Sequence, residues 1–175
     1  MAIDNEGEIM KTMFIILIFL VSFCQSSQAG FFNFDPQAKL KEAKYMVSIG
    51  RPIAADKLIN DVIVYCKKKN DEVCLATAYF YYGQALMARL PEDYDRQKNP
   101  NRSISAYVDE GVTVGNGDQK AMEYLDKALN LAKKHKLYDV ASAICLRMGI
   151  LQSTRFKDPT AACECFDRSL EYHLL

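Results

Sequence analysis

One pattern of small and apolar residues occurs three times along this chain. Ala121, Leu125, Ala128, Leu129 and Leu131 are matched in spacing by Ala162, Phe166, Ser169, Leu170 and Tyr172. A weaker copy is Ala55, Ile59, Val62, Ile63 and Tyr65. Steps of three and four residues place such side chains on one face of a helix. A face that recurs in this way belongs to stacked supersecondary units, because no single unit can bury it alone. The pattern predicts an all-α chain built from repeats, a class that more often presents surfaces for binding than sites for chemistry.

The intervals support true repetition. The stretch from Ala55 to Gly83 is equal in length to the stretch from Ala121 to Gly149. Gly149 is followed closely by Ala162, whereas Gly83 stands much further ahead of Ala121. That excess isolates an insertion, residues 90–117, inside the second of three units: 36–69, 71–136 and 138–173. Its start, Pro91 to Arg102, is polar and rich in helix breakers. Residues 103–114 suggest a short hairpin turning near Asp109-Glu110-Gly111. A connection this long inside a domain is either functional or disordered.

Six helices are expected. Asp35-Pro36 offers an N-cap carboxylate and a proline at the first helical position, opening a helix over Gln37–Ile49 that Gly50 ends. Pro52–Cys66 follows, then Lys67, Lys68 and Lys69, cations suited to a helix C-terminus. Asp71–Arg89, Asp118–Lys136 and Asp139–Thr154 are the next three, with Asp118 as a cap. Asp158-Pro159 repeats the first start signal for a sixth, ending near His173.

These residues resemble the tetratricopeptide repeat, whose paired helices touch through small side chains. Gly83 with Ala121 and Ala128, and Gly149 with Ala162 and Ser169, stand at the matching places. Tyr79, Tyr82, Leu125 and Leu129 would fill the core around the first contact; Cys145, Met148, Phe166 and Leu170 would do so around the second. The first unit departs, with Ala43 in place of glycine, and the units are longer than is usual for that family. The resemblance implies a right-handed helical-repeat solenoid of three antiparallel helix pairs, with the insertion in the second pair. It also implies a groove lined by Thr77, Phe80, Gln84 and Met87 of the second unit and Leu146, Ile150 and Ser153 of the third. Those positions are rather apolar, which suits an extended peptide or a partner's helix. The alternative is that a following segment covers them.

Residues 1–29 differ in kind. Met13–Phe23 reads MFIILIFLVSF, apolar throughout except for Ser22. A membrane-spanning helix needs about 20 apolar residues, so this shorter run suits the core of a secretory signal. Ser27-Gln28-Ala29 supplies the small residues a signal peptidase accepts, with cleavage before Gly30. Asp4, Glu6 and Glu8 do not suit a signal, and Met10-Lys11 is the better start. Acylation at Cys24 is an alternative, although Phe23 stands where a lipoprotein signal has a small residue. An uncleaved anchor is another. The chain is therefore expected to be secreted or periplasmic, and tied to a membrane only if the segment is retained or Cys24 is acylated.

Charge and chemistry are otherwise quiet. The 22 basic residues balance 22 acidic ones, which gives no electrostatic footprint for nucleic acid. Of six cysteines, Cys66 ends one helix and Cys74 begins the next. A helical hairpin would bring them together, and an oxidising compartment favours a disulfide over two thiols. A C-x7-C bridge between hairpin helices resembles the Sel1-like repeats, but its register here differs. Cys163 and Cys165 face different sides, and Cys145 is a core position. Neither histidine, His135 nor His173, sits in a catalytic or metal motif. Gly115-Asn116-Gly117-Asp118 lacks the lysine and hydroxyl residue of a phosphate loop. No catalytic residue, metal site or cofactor is expected. The leading expectation is a scaffold for a protein or peptide partner; a membrane-tethered envelope component and a small enzyme or enzyme regulator on the same solenoid are the rivals.

Overall fold

Proline, aspartate and left-handed residues set most of the boundaries of the six α-helices found among the described residues. They are α1 Pro36–Ser48, α2 Pro52–Lys69, α3 Glu72–Met87, α4 Gly117–Lys134, α5 Tyr138–Leu151 and α6 Pro159–His173. They are seen in a computed structural model that describes residues 34–89, 108–113 and 115–175. Among the described residues no strand occurs, so the architecture is all-α. The apolar run 13–23, the cleavage site, Cys24 and residues 90–107 of the insertion lie outside the described residues.

The starts follow the sequence signals. Asp71 and Asp158 cap α3 and α6, their carboxylates accepting from Cys74 N and Ala161 N, each at 2.9 Å. Three of the ends, those of α1, α2 and α4, share a device that the sequence shows only at Gly50. There φ is +72°, Gly50 N donates to Val47 O, and Arg51 N donates to Met46 O at 2.8 Å. The same pair of reversed hydrogen bonds closes α2 through Asn70 and α4 through Lys136, both with positive φ. Lys136 has no glycine-like freedom, so its left-handed turn costs about 1 kcal/mol.

Two boundaries depart from expectation. Asp118 lies inside the first turn of α4 rather than capping it. Asn116 precedes the helix and spends its side chain on the loop, accepting from Thr113 N and donating to Gly111 O. At its other end α5 stops at Leu151 and passes into a π turn, Gln152–Phe156, closed by Asp158 N donating to Gln152 O at 3.0 Å.

Each helix packs against its neighbours in sequence, and α3 also touches both α1 and α5. The helices form one compact unit, Pro36–Leu175. α3 lies at its centre, which explains an Ala- and Tyr-rich helix with seven buried positions. Small-on-large contacts hold the pairs. A Cβ placed on Gly83 would stand 2.9 Å from Leu125 Cγ, and one on Gly149 would stand 2.5 Å from Phe166 Cε1. Tyr82 is buried and meets Tyr124 edge-on, with ring centroids 4.6 Å apart.

In the α5–α6 pair the expected roles shift. Cys145 and Met148 are core residues, but Phe166 and Leu170 are partly open to solvent. No described element covers that side of α6. Ser169 meets Ser142 rather than Gly149. Each hydroxyl donates to the other residue's carbonyl, at 2.8 and 2.9 Å.

Candidate functional site

The residues expected to line a groove are distributed over two touching helices. Thr77, Phe80, Gln84 and Met87 lie on α3, all half-buried; Leu146 and Ile150 lie on α5, and Ser153 in the π turn. Thr77 turns its hydroxyl back to Val73 O at 3.3 Å, a local bond open to competition from a ligand's amide. Phe80 leans on Tyr81 with centroids 5.7 Å apart. Leu146 is 45% exposed, beside Arg147, which is exposed too.

The α2–α3 turn is a second feature. Cys66 and Cys74 form a disulfide across it, with Cα atoms 5.7 Å apart. Asn70 provides the left-handed residue between them and Asp71 caps the next helix, so each short-range signal serves the staple. Directly beyond, Glu72 receives Lys134 Nζ at 2.6 Å and lies 2.7 Å from His135 Nε2. Lys134 and then His135 hold the Glu72 carboxyl below its ordinary value. A shallow depression of about 670 Å³ opens here, lined by Tyr65, Lys69, Asn70, Asp71, Glu72, Val73 and His135. Its lining holds one phenol, Tyr65, and one amine, Lys69, beside the His135–Glu72 pair, and no serine, threonine or free thiol.

Two polar clusters were not legible as partners. Asp56 on α2 and Arg89, just past α3, form a hydrogen-bonded ion pair with both side chains fully buried. Asp56 does carry a signal: it stands at helical spacing from Ile59 and Ile63, on the apolar face of α2. Arg89 carries none, because nothing local marks it for burial. The end of the insertion forms the other cluster. Asp109 accepts from Gly111 N at 2.8 Å, pairs with Lys120 at 3.2 Å and reaches Tyr124 Oη at 3.3 Å. Burial would raise the Asp109 carboxyl, but Gly111 N–H, Lys120 and Tyr124 outweigh it and hold the group below its ordinary value. The turn expected near Asp109–Gly111 is therefore present and tied to α4, with Val112 buried beside it. Its flanking hairpin residues 103–107 and 114 lie outside the described residues.

Two of the remaining described thiols behave as core groups. Cys145 and Cys165 are buried while Cys163 is exposed, as the two-residue spacing implies. Burial pushes both inner thiols up, and Arg168, 3.9 Å from Cys145 Sγ, partly opposes this at Cys145. Among the described residues no three histidine, cysteine or carboxylate side chains gather as metal ligands. Nor is any described helix long and apolar enough to cross a membrane.

Comparison with protein-family models, with curated proteins and with solved structures returned no match.

Proposed function

We propose that the chain is a secreted or periplasmic scaffold that holds a protein or peptide partner. In this reading the six helices are three antiparallel pairs of a right-handed solenoid, and the partner lies along the face shared by α3 and α5. One observation carries it. The contact of Gly83 with Leu125 recurs one unit further along the chain as the contact of Gly149 with Phe166, and the first helices of successive pairs touch. Stacking of that kind leaves a continuous face along the first helices. Thr77, Phe80, Gln84, Met87, Leu146, Ile150 and Ser153 would form it, with partly open apolar side chains and one local hydroxyl bond, that of Thr77, which an extended peptide can replace.

The Cys66–Cys74 disulfide favours the extracytoplasmic setting, since such bonds persist where thiols are not kept reduced. The apolar run Met13–Phe23 favours export by itself and leaves a second reading, a membrane-tethered component of an envelope assembly.

A site-specific photo-cross-linker tests the proposal. Placed at Gln84 or Ile150 in the native host, it should capture one discrete partner, while the same group at Lys127 or Glu164 should not. Equal capture at all four positions, or none at any, would sink the groove reading. The mass of the purified chain separates the two settings: a mature form beginning at Gly30 excludes tethering.

A further inference from the structure

Small residues fix the register of α5 against α6. Ser142 Oγ donates to Ser169 O at 2.8 Å and Ser169 Oγ donates to Ser142 O at 2.9 Å, with the two hydroxyl oxygens 3.2 Å apart. A serine side chain is short, so this reciprocal pair forms only where two backbones come close. Gly149 makes a second close approach, against the Phe166 ring. Between them Arg168 Nη2 lies 3.9 Å from Cys145 Sγ. Along α5 the contacts step from Ser142 to Cys145 to Gly149, while along α6 they step from Ser169 to Arg168 to Phe166. The two helices therefore run in opposite directions.

That register places two thiols together. Cys145 stands three residues after Ser142, and Cys165 stands four before Ser169. Steps of three and four return to the same side of a helix. Each cysteine is thus one turn beyond its serine, at one level and on one side of the contact. Both are buried, at 0% and 7% exposure, whereas Cys163 is exposed. Burial pushes the Cys165 thiol up, the Arg168 charge opposes this, and the Cys145 sulfur acts on it as well. The pair shares one cation and each sulfur senses the other. A disulfide needs Cα atoms about 4.4–6.8 Å apart; the small-residue contacts on either side of the pair bring the backbones toward that range.

We propose that Cys145 and Cys165 are a dithiol that a disulfide oxidant of the glutathione class closes into a second intramolecular bond. The inference goes beyond the scaffold reading and needs only the α5–α6 contact, so it fails or holds independently of any partner. Cys165 keeps a small opening to solvent and Cys145 none, so Cys165 reacts first. Its thiolate attacks one sulfur of the oxidant, forming a mixed disulfide and releasing a small thiolate that takes up the proton Cys165 lost. The Cys145 thiolate, beside the Arg168 charge, then attacks Cys165 Sγ. The second small thiolate leaves and takes up the proton from Cys145. Two protein thiols are oxidised and one disulfide is reduced to two thiols. The new bond would tie α6 to α5 as Cys66–Cys74 ties α3 to α2.

The test uses the full chain with Cys66–Cys74 closed and the inner thiols reduced. It is treated with oxidised glutathione at about pH 8, where thiolates form, then alkylated in denaturant and digested with trypsin. Cleavage after Arg147 and Arg155 separates Cys145 from Cys165. The folded protein should lose both inner thiols and give one linked peptide pair, with fragment ions placing the bond at Cys165 and not at Cys163. The same treatment in urea should join Cys145 to Cys163 and Cys165 alike, because the register that selects Cys165 is gone. Inner thiols that still alkylate after oxidation of the folded protein overturn the proposal. So does a folded product with the mixed pairing found in urea, or a bond at Cys145 or Cys165 that links two copies of the chain.

Discussion

Replacing Gly83 by alanine sets two known effects against each other. Inside a helix the change favours folding by about 1 kcal/mol, because alanine loses less backbone entropy than glycine. Here the new Cβ would meet Leu125 Cγ and Cδ2 at 2.9 Å and Ala121 O at 3.3 Å. Carbon atoms in comfortable contact sit about 3.5–4.0 Å apart, so Leu125 must retreat by roughly 0.6–1 Å. It is fully buried, so its retreat must displace close-packed neighbours. Overpacking of this kind costs about 1–3 kcal/mol, so the net effect should be a loss of about 1 kcal/mol, and not more than about 2.

Gly149→Ala provides the internal control. Its Cβ would come nearer, 2.5 Å from Phe166 Cε1, but that ring lies on the open side of α6 and can turn into solvent. The shorter distance should therefore have the smaller cost, within about 0.5 kcal/mol of zero once the helical gain is counted. Urea unfolding followed by circular dichroism reads both, as midpoint shifts at constant slope. In a Leu125→Ala background only the 3.3 Å approach to Ala121 O remains, and Gly83→Ala should become stabilising by up to about 1 kcal/mol. The coupling between the two sites would be about 2 kcal/mol. If Gly83→Ala raised the midpoint with Leu125 in place, or had the same effect in both backgrounds, the proposed contact between α3 and α4 would be refuted.

Further outcomes follow from the other contacts. Cys66→Ser with Cys74→Ser should lower stability by about 2–3 kcal/mol, as expected for the short loop the disulfide closes, and dithiothreitol should lower the unmodified midpoint equally; thiol alkylation with intact mass checks the pairing. Asp56→Asn should lower stability by about 1.5–3 kcal/mol, because it withdraws the buried charge that Asp56 brings to its ion pair with Arg89, as read by thermal unfolding. Asp109 contributes stability present above its ordinary value of 3.8 and lost as pH falls through its lowered one, so the gap between unmodified protein and Asp109→Asn should be flat from neutral pH to about 4 and shrink below. Lys136→Gly should raise stability by roughly 0.5–1 kcal/mol in the same urea titration, because glycine enters the left-handed turn without strain.

Much of this can be read without coordinates because it is local. Helix starts depend on an aspartate, a proline and the residues just behind them, so Asp158-Pro159 announces α6 at close range. Helix faces depend on spacing, so Ala121, Leu125 and Ala128 share a face by interval alone, whereas Gly83 opposite them is what the resemblance to the tetratricopeptide repeat implies. The disulfide is nearly local as well, since one short turn brings Cys66 to Cys74. The ends of α2 and α4 were harder: Asn70 and Lys136 adopt a glycine-like conformation because the reversed hydrogen bonds and the next helix's packing impose it.

What the sequence determined by itself is a helical chain, most of its helix starts and the faces that its apolar residues share. Only the tertiary structure decided which polar groups would be enclosed and which apolar ones left open. Asp56 meets Arg89, and Glu72 meets His135, across long stretches of sequence through the juxtaposition of helices rather than any local rule. Phe166 and Leu170 repeat the pattern of Leu125 and Leu129, yet their burial differs because burial belongs to the neighbour that covers a residue. Periodicity states that a face wants a partner; the arrangement of the helices states whether it has one.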